Sequence, residues 1–365
     1  MEIKINKLLL DNAIERVNRA IDPNPFLPIM KGILIEAEDN QITLIGSNGE
    51  LSIKHVIKVS ADAEIITPGK AVVELSIFRN IIKKLDNDLS ISSDDKTMLI
   101  ATDYDRYTLN LYQTSEFPEI DFSIFGDTLK ISWDELKKMT RNVLFAASNN
   151  EINLVLCCVN ISCSNNVLKF IATDRYRFAQ ETKQVENLND FNVSIVAKNL
   201  KDIFTFDFNG EVTLFISRYK VAFELEGTII QTKVIDQVYQ DVSRVIPKEF
   251  ATKLVIEKRE LSNLLNKASV ITSESYNKMR LHVDHDTLIF SSTRDEIANA
   301  EIKTKNFQYN EDELKLSINS KYLKDAISVF DDIINLNITK DKLRIVVTSD
   351  SNPNNLQLFT PNKGF

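Results

Sequence analysis

Leu34-Ile-Glu-Ala-Glu-Asp-Asn-Gln-Ile-Thr-Leu-Ile-Gly-Ser47 alternates apolar and polar residues, breaks at Asp39-Asn40 and alternates again, which reads as two antiparallel strands around a polar turn. The pattern returns as Val159-Asn-Ile-Ser-Cys-Ser-Asn-Asn-Val-Leu-Lys-Phe-Ile-Ala-Thr173, and again, one residue shorter than the first, as Leu281-His-Val-Asp-His-Asp-Thr-Leu-Ile-Phe-Ser-Ser-Thr293. A helical stretch precedes each copy. Its apolar positions are Leu10, Ala13, Val17 and Ala20, then Leu136, Met139, Val143 and Ala146, then Leu261, Leu264, Ala268 and Ile271, offset by 126 and 125 residues. A period of this size means repeated domains, because solenoid repeats run to only about 20–50 residues.

A second helix follows in each repeat, at 76–85, 198–206 and 320–330, with Phe78, Ile81 and Ile82 matching Leu200, Ile203 and Phe204, and then Leu323, Ala326 and Ile327. This is the i, i+3, i+4 spacing of one apolar face packed on a sheet. Short alternating runs at 88–92, 98–102, 107–112, 212–216, 221–226, 336–339 and 343–347 read as half-buried antiparallel strands. The expected class is α+β, with two helices on an antiparallel sheet in each repeat. Polar stretches at 122–128 and 248–252 place the expected boundaries, giving domains 1–125, 126–248 and 249–365.

With 43% hydrophobic and 26% charged residues over 365 positions, the composition is that of an ordinary globular chain. No stretch supplies the roughly 18–20 apolar residues of a spanning helix. The start, Met-Glu-Ile-Lys-Ile-Asn-Lys7, has no signal-peptide pattern, so a cytoplasmic location and no membrane partner are expected. Cys157, Cys158 and Cys163 crowd one hairpin in an odd number and read as reduced, small hydrophobes.

The net charge of -8 argues against a polyanionic partner until its distribution is considered. The six expected helices (7–21, 76–85, 133–148, 198–206, 258–273, 320–330) hold sixteen Lys and Arg against seven Asp and Glu, so the rest of the chain carries the acid. Helices commonly place Lys and Arg toward solvent, and charge alone does not separate that reading from a functional one. Repetition tips the balance: three equivalent domains pointing their helices the same way form one concave basic face suited to a polyanion.

No chemistry-bearing motif competes. His282 and His285 fall on a strand and turn, where i and i+3 face apart, and His55 stands alone. HExxH, GxGxxG, P-loop and GxSxG patterns are absent, and Cys157 and Cys158 adjoin without a histidine nearby in sequence. Acid pairs such as Asp94-Asp95 and Asp331-Asp332 read as solvated turns or helix ends. No catalytic residue, metal or cofactor is expected.

The chain resembles the bacterial DNA polymerase III β subunit, the sliding clamp, over its whole length. Phe26-Leu-Pro-Ile-Met30, Ala172-Thr-Asp-Arg-Tyr-Arg-Phe178, Arg244-Val-Ile-Pro-Lys248, Asn319-Ser-Lys-Tyr-Leu323 and Leu356-Gln-Leu-Phe-Thr-Pro361 carry the resemblance. It implies a head-to-tail homodimer forming a six-domain ring that encircles double-stranded DNA without reading its sequence. It also implies that the replicative polymerase subunit, the clamp loader and other proteins bearing short clamp-binding motifs are tethered by it.

DNA contacts implied by the resemblance fall on Asn24, Lys70, Ser76, Arg79, Lys83, Lys84, Lys137, Lys138, Arg141, Lys198 and Lys201. Those of the peptide pocket fall on Leu156, Thr173, Arg175, Tyr176, Arg177, Phe178, Pro247, Asn319, Tyr322, Phe359, Thr360, Pro361, Asn362 and Lys363. The dimer contacts implied are Tyr107, Leu109 and Leu111, expected on an edge strand, with Val270 and Ile271 at a helix end. Several positions depart from the family pattern. Asn24 and Ser76 stand where arginine is frequent, Cys158 and Gln237 where glycine is usual, Gln240 where proline is common, and Thr360, Asn362 and Lys363 make the C-terminal end more polar. The competing reading is a diverged clamp-fold interaction scaffold that does not bind DNA topologically.

Overall fold

The computed structural model describes residues 1–38, 40–149, 152–186, 189–240, 242–272, 277–294 and 297–364. All six expected helices are present: α1 (Lys7–Asn18), α2 (Leu75–Lys84), α3 (Trp133–Leu144), α4 (Ala197–Ile203), α5 (Lys258–Ala268) and α6 (Ser320–Ser328). Each of the three quoted stretches is an antiparallel hairpin. The first two share a register, with Leu34 opposite Ile45 and Asn160 opposite Ile171, 126 residues later. Among the described residues, no helix is long and apolar enough to cross a membrane.

The chain divides into two compact units, Met1–Leu136 with Lys198–Asp236, and Lys137–Ala197 with Gln237–Phe365. The division does not follow the repeats, because neighbouring repeats share sheets. In the first unit one thirteen-stranded sheet runs from Asp127–Ser132 through Glu211–Ile216, Lys220–Leu225 and Thr228–Lys233 to Leu51–Lys58, and on to Ala63–Thr67. The seam is the antiparallel pairing of Thr228–Thr232 with Leu51–His55, a backbone ladder between the first repeat and part of the second.

Leu10, Ala13, Ile14 and Val17 of α1 and Leu75, Phe78 and Ile82 of α2 are buried. Gly46 marks the closest approach of α1 to the sheet, since a Cβ there would meet Val17 at 2.6 Å. Trp133 is fully buried against the rings of Phe204, Phe208 and Phe223, at 5.1, 6.1 and 5.7 Å.

His55, on the seam strand, has Nδ1 2.8 Å from Thr228 Oγ1, and Arg16 donates to the same hydroxyl while pairing with Glu226. Burial, and then the charge of Arg16, push the imidazole down to about 4. The unfolded chain therefore takes up a proton near the ordinary value of about 6.5, which the folded chain accepts only near 4. Stability from this residue is full above pH 6.5 and falls as pH drops through that window. The expected loss between pH 7 and 4 is up to about 3 kcal/mol. A His55→Gln variant followed by urea melts should show a flatter pH profile between 6.5 and 4.5; an unchanged slope would locate the titration elsewhere.

The second unit contains an eight-stranded sheet, in which Arg177–Gln184 pairs with Asn355–Phe359, and a four-stranded sheet built on the third hairpin. Between α3 and the eight-stranded sheet lies a buried carboxylate. Glu181, 5% exposed, accepts hydrogen bonds from the side-chain amides of Asn142, Asn352 and Asn355. Gln357 extends the network by donating to Asn355 Oδ1 at 2.8 Å and to the Asn142 carbonyl at 3.0 Å.

Candidate functional site

The pocket begins with the turn between Val167–Thr173 and Arg177–Gln184. Thr173 Oγ1 accepts from the Arg175 amide at 3.2 Å and donates to the Arg177 carbonyl at 2.6 Å. Asp174 Oδ1 accepts from the amides of Tyr176 and Arg177, both at 3.0 Å. Thr173 and Asp174 thus cap the turn, and Arg175 within it sits in the left-handed region at φ +79°.

Arg177, 13% exposed at its side chain, ties this turn to α6. Its Nε donates to Asp174 Oδ2 at 2.8 Å and its Nη1 to Asp325 Oδ2 at 2.6 Å. Its guanidinium lies 4.8 Å from the Tyr322 ring centroid and 5.8 Å from that of Phe145. The fork geometry serves both acids while the flat faces stack, which an ammonium could not do.

Beside this turn opens a cleft of about 670 Å³. Its apolar lining includes Phe178, Tyr239, Val242 and Leu358, backed by Ile171 and Val346 of the same buried cluster. The Tyr239 hydroxyl is buried without a hydrogen-bond partner among the described residues, and burial raises its pKa. Arg175, Arg177 and Arg344 line the cleft, and among the described residues no carboxylate does. An apolar floor with a few fixed polar groups is suited to a short peptide carrying an aliphatic or aromatic anchor.

The structure brings Leu156, Thr173, Arg175, Tyr176, Arg177, Phe178 and Thr360 together in this cleft. The other expected residues lie outside its wall, for identifiable reasons. Asn319 caps α6, accepting from the amides of Lys321 and Tyr322. Tyr322 supports Arg177 from behind. Phe359 alternates away from Leu358 into the core of the third repeat. The Asn362 amide bonds the Ser317 carbonyl at 2.7 Å. Pro247, Pro361 and Lys363 also stand off the wall.

Sequence reading had not placed Val155, Val238, Tyr239, Val242 or Leu358 in the cleft. The apolar character of 238–246 was the available signal. Cys158 has extended backbone at φ -107°, and Gln237 is not among the residues with positive φ, so losing glycine at either strains nothing.

The cationic candidates divide by partner. Arg79 donates to both oxygens of Glu15 at 2.6 and 2.9 Å, and Lys83 reaches Glu15 at 2.9 Å. Those bonds, Arg79's first, hold the Glu15 carboxyl down at about 2 against the opposing effect of burial. Lys198 pairs with Asp22 at 3.2 Å, whose Oδ1 also accepts from the Asn24 amide, and Ser76 donates to Glu74. Lys84 and Lys201 of the first unit, and Lys137, Lys138 and Arg141 of the second, make no ion pair among the described residues.

Lys70 departs from this group. Its strand register sets it opposite Glu36, on the sheet face away from α1, and it pairs with Glu36 at 2.8 Å and Glu38 at 3.9 Å. Alternation decides this, because Ile35 shares a face with Leu44 and with Gly46 beneath α1, so Glu36 points the other way.

The edge-strand expectation needs a similar correction. Arg106–Tyr112 pairs with Thr97–Ala101 on one side and also meets Gly69–Glu74 through Leu111 and Tyr112. Only 106–110, with Tyr107 and Leu109, is open; Leu111 is inside a ladder. Val270 is 79% exposed and Ile271 half-buried in the turn after α5, so Val270 is not a core residue.

A thrice-repeated pair of helix and hairpin, with cations on its helices and a peptide-sized cleft, defines a protein of the sliding-clamp class. Family profiles for the N-terminal, central and C-terminal domains of the DNA polymerase III beta subunit match residues 1–121, 130–241 and 243–362. The beta sliding clamp of Mycoplasmopsis pulmonis is 30% identical over 377 residues, covering all of both chains. That of Staphylococcus aureus is 28% identical over 341 residues, covering 91% of this chain and 90% of the other.

Among solved structures, the Bacillus subtilis DNA polymerase sliding clamp superposes with a TM-score of 0.92 at 24% identity, with full coverage of both chains. The DNA polymerase III beta chain of Streptococcus pneumoniae gives 0.93 at 24%, also with full coverage. The chain belongs to the DNA polymerase III beta subunit family. Its function is that of a DNA sliding clamp, a non-catalytic one.

Proposed function

We propose that the protein closes as a head-to-tail homodimer around duplex DNA and tethers the replicative polymerase, the clamp loader and other partners by short peptides held in the second-unit cleft. The observation that carries the tethering is the apolar lining of Phe178, Tyr239, Val242 and Leu358 beside the Arg177 clasp. The three domains are taken as 1–125, 126–248 and 249–365. Thr360 closes one side of the cleft by donating to the Tyr176 carbonyl through both its amide and its hydroxyl.

Lys84, Lys137, Lys138, Arg141 and Lys201 are the principal phosphate contacts in this reading, because they bring charge not already neutralised within the fold. Contacts of this kind set affinity without fixing register, which permits sliding. Arg79 and Lys83 are held back by Glu15, so Glu15→Gln should strengthen binding to a short duplex by about three- to tenfold at 50 mM salt and steepen its salt dependence. Fluorescence anisotropy across a salt series checks this. Equal affinity and slope would remove Arg79 and Lys83 from the DNA surface.

For the dimer, the open length of strand around Tyr107 in the first domain has a counterpart in Ala298–Thr304, an edge of the four-stranded sheet in the third. Bare backbone edges are natural partners for intermolecular pairing. The whole reading is tested by loading the protein on nicked circular DNA with its loader ATPase. Retention at high salt with release on linearisation is expected. Loss from the circle and the line at equal rates would favour the scaffold without topological binding.

A further inference from the structure

The first unit holds a second cleft, of about 590 Å³. It is built from the same positions of the repeat as the first. Met30, Ser47, Gly49, Glu50 and Ser52 line it, and Leu156, Thr173, Arg175, Tyr176 and Phe178, each 126 residues later, line the cleft already described. The turns share their amide-capping bonds. Ser47 Oγ accepts from the Gly49 amide at 3.0 Å, as Thr173 does from Arg175, and Asn48 Oδ1 accepts from the amides of Glu50 and Leu51 at 2.9 and 2.8 Å, as Asp174 does from Tyr176 and Arg177. Gly49 shares the left-handed conformation of Arg175, at φ +91°.

Apolar surface remains open in this second cleft, where Tyr219 is 68% and Phe125 48% exposed. Its charged lining differs. Glu50, Glu119, Asp121 and Asp236 line this cleft together with Arg218, Lys220 and Lys233, whereas the charged residues described along the second-unit cleft are Arg175, Arg177 and Arg344. Lys220 is occupied by the Asp121 carbonyl, Gln231 and the Asp121 carboxylate, and Arg218 pairs with Asp236 at 3.6 Å. Glu50 and Glu119 are left exposed at the rim, making no ion pair among the described residues, with Lys233 as the remaining lining cation.

We propose that this first-unit cleft is a second peptide-docking site, taking an extended segment of a partner protein with an aliphatic or aromatic anchor and a basic flank. It rests on the peptide reading of the second-unit cleft. The exposed rim acids Glu50 and Glu119 favour a basic flank, so one clamp holds a second partner on the same chain.

The test uses the full chain and three fluorescein-labelled probes in fluorescence polarisation at 150 mM salt: KKLSLFKK, DDLSLFDD and the anchorless KKASAAKK. The basic anchored probe should bind at least tenfold more tightly than the anchorless one. It should lose that advantage in the Glu50→Lys/Glu119→Lys double variant and in Tyr219→Ala, and keep it in Tyr176→Ala. Basic anchored and anchorless probes binding alike, or the basic probe responding to Tyr176→Ala and not to the rim variants, overturns the proposal. So does loss of the dimer in the rim variants, which assigns the cleft to a second copy. The acidic probe reads the second-unit cleft separately: indifference to Tyr176→Ala counts against that reading, whatever the basic probe does.

Discussion

Glu181→Ala is expected to destabilise the second unit by about 4 kcal/mol, because it strips the shared acceptor from two buried amides and a half-buried one at once. Asn142, Asn352 and Asn355 all donate to this carboxylate, and little water reaches Asn142 and Asn355 to take its place. Glu181→Gln keeps the shape but offers a single acceptor oxygen and two added donors, so an intermediate loss is expected. Urea melts monitored by hydrogen exchange in residues 167–184 and 355–359 check this. A loss below about 1 kcal/mol for the alanine variant would mean that the network is replaceable by solvent.

The second large effect concerns Arg177. Arg177→Ala should weaken an acidic anchored peptide at least 100-fold and cost the second unit about 2–3 kcal/mol, since Asp174 and Asp325 lose their common partner. Arg177→Lys should recover stability better than binding, because an ammonium holds one acid and cannot stack on Tyr322. Calorimetry with thermal melts separates the two losses. Peptide binding at the parental level in the alanine variant would place the ligand elsewhere.

The helices and hairpins were legible because periodicity is local: the apolar spacing of Leu10, Ala13 and Val17 is written within one helix and is buried as expected. The pocket turn is local in the same sense, since Thr173 and Asp174 bond amides only two or three residues on. What escaped sequence reading was long-range. Glu15 and Arg79 lie 64 residues apart, and nothing local says that one clasps the other. That Lys70 lies on the sheet face away from α1 was not legible, because alternation tells which residues share a face but not which face the helices cover. Tyr239 and Val242 lie in an aperiodic connection whose apolar residues gave no orientation.

The division of the chain into repeats was plain, yet the division into folding units was not, because two repeats share a ladder between Thr228–Thr232 and Leu51–His55. This has a consequence for how the chain can be cut. A fragment ending near Gly126, at the repeat boundary, would turn the strand Leu51–Lys58 from an interior neighbour into a bare edge and invite aggregation. The repeat sets where helices and hairpins fall, but the copies share a common sheet. Shuffling them between relatives should succeed only when each seam strand travels with the strand that covers it.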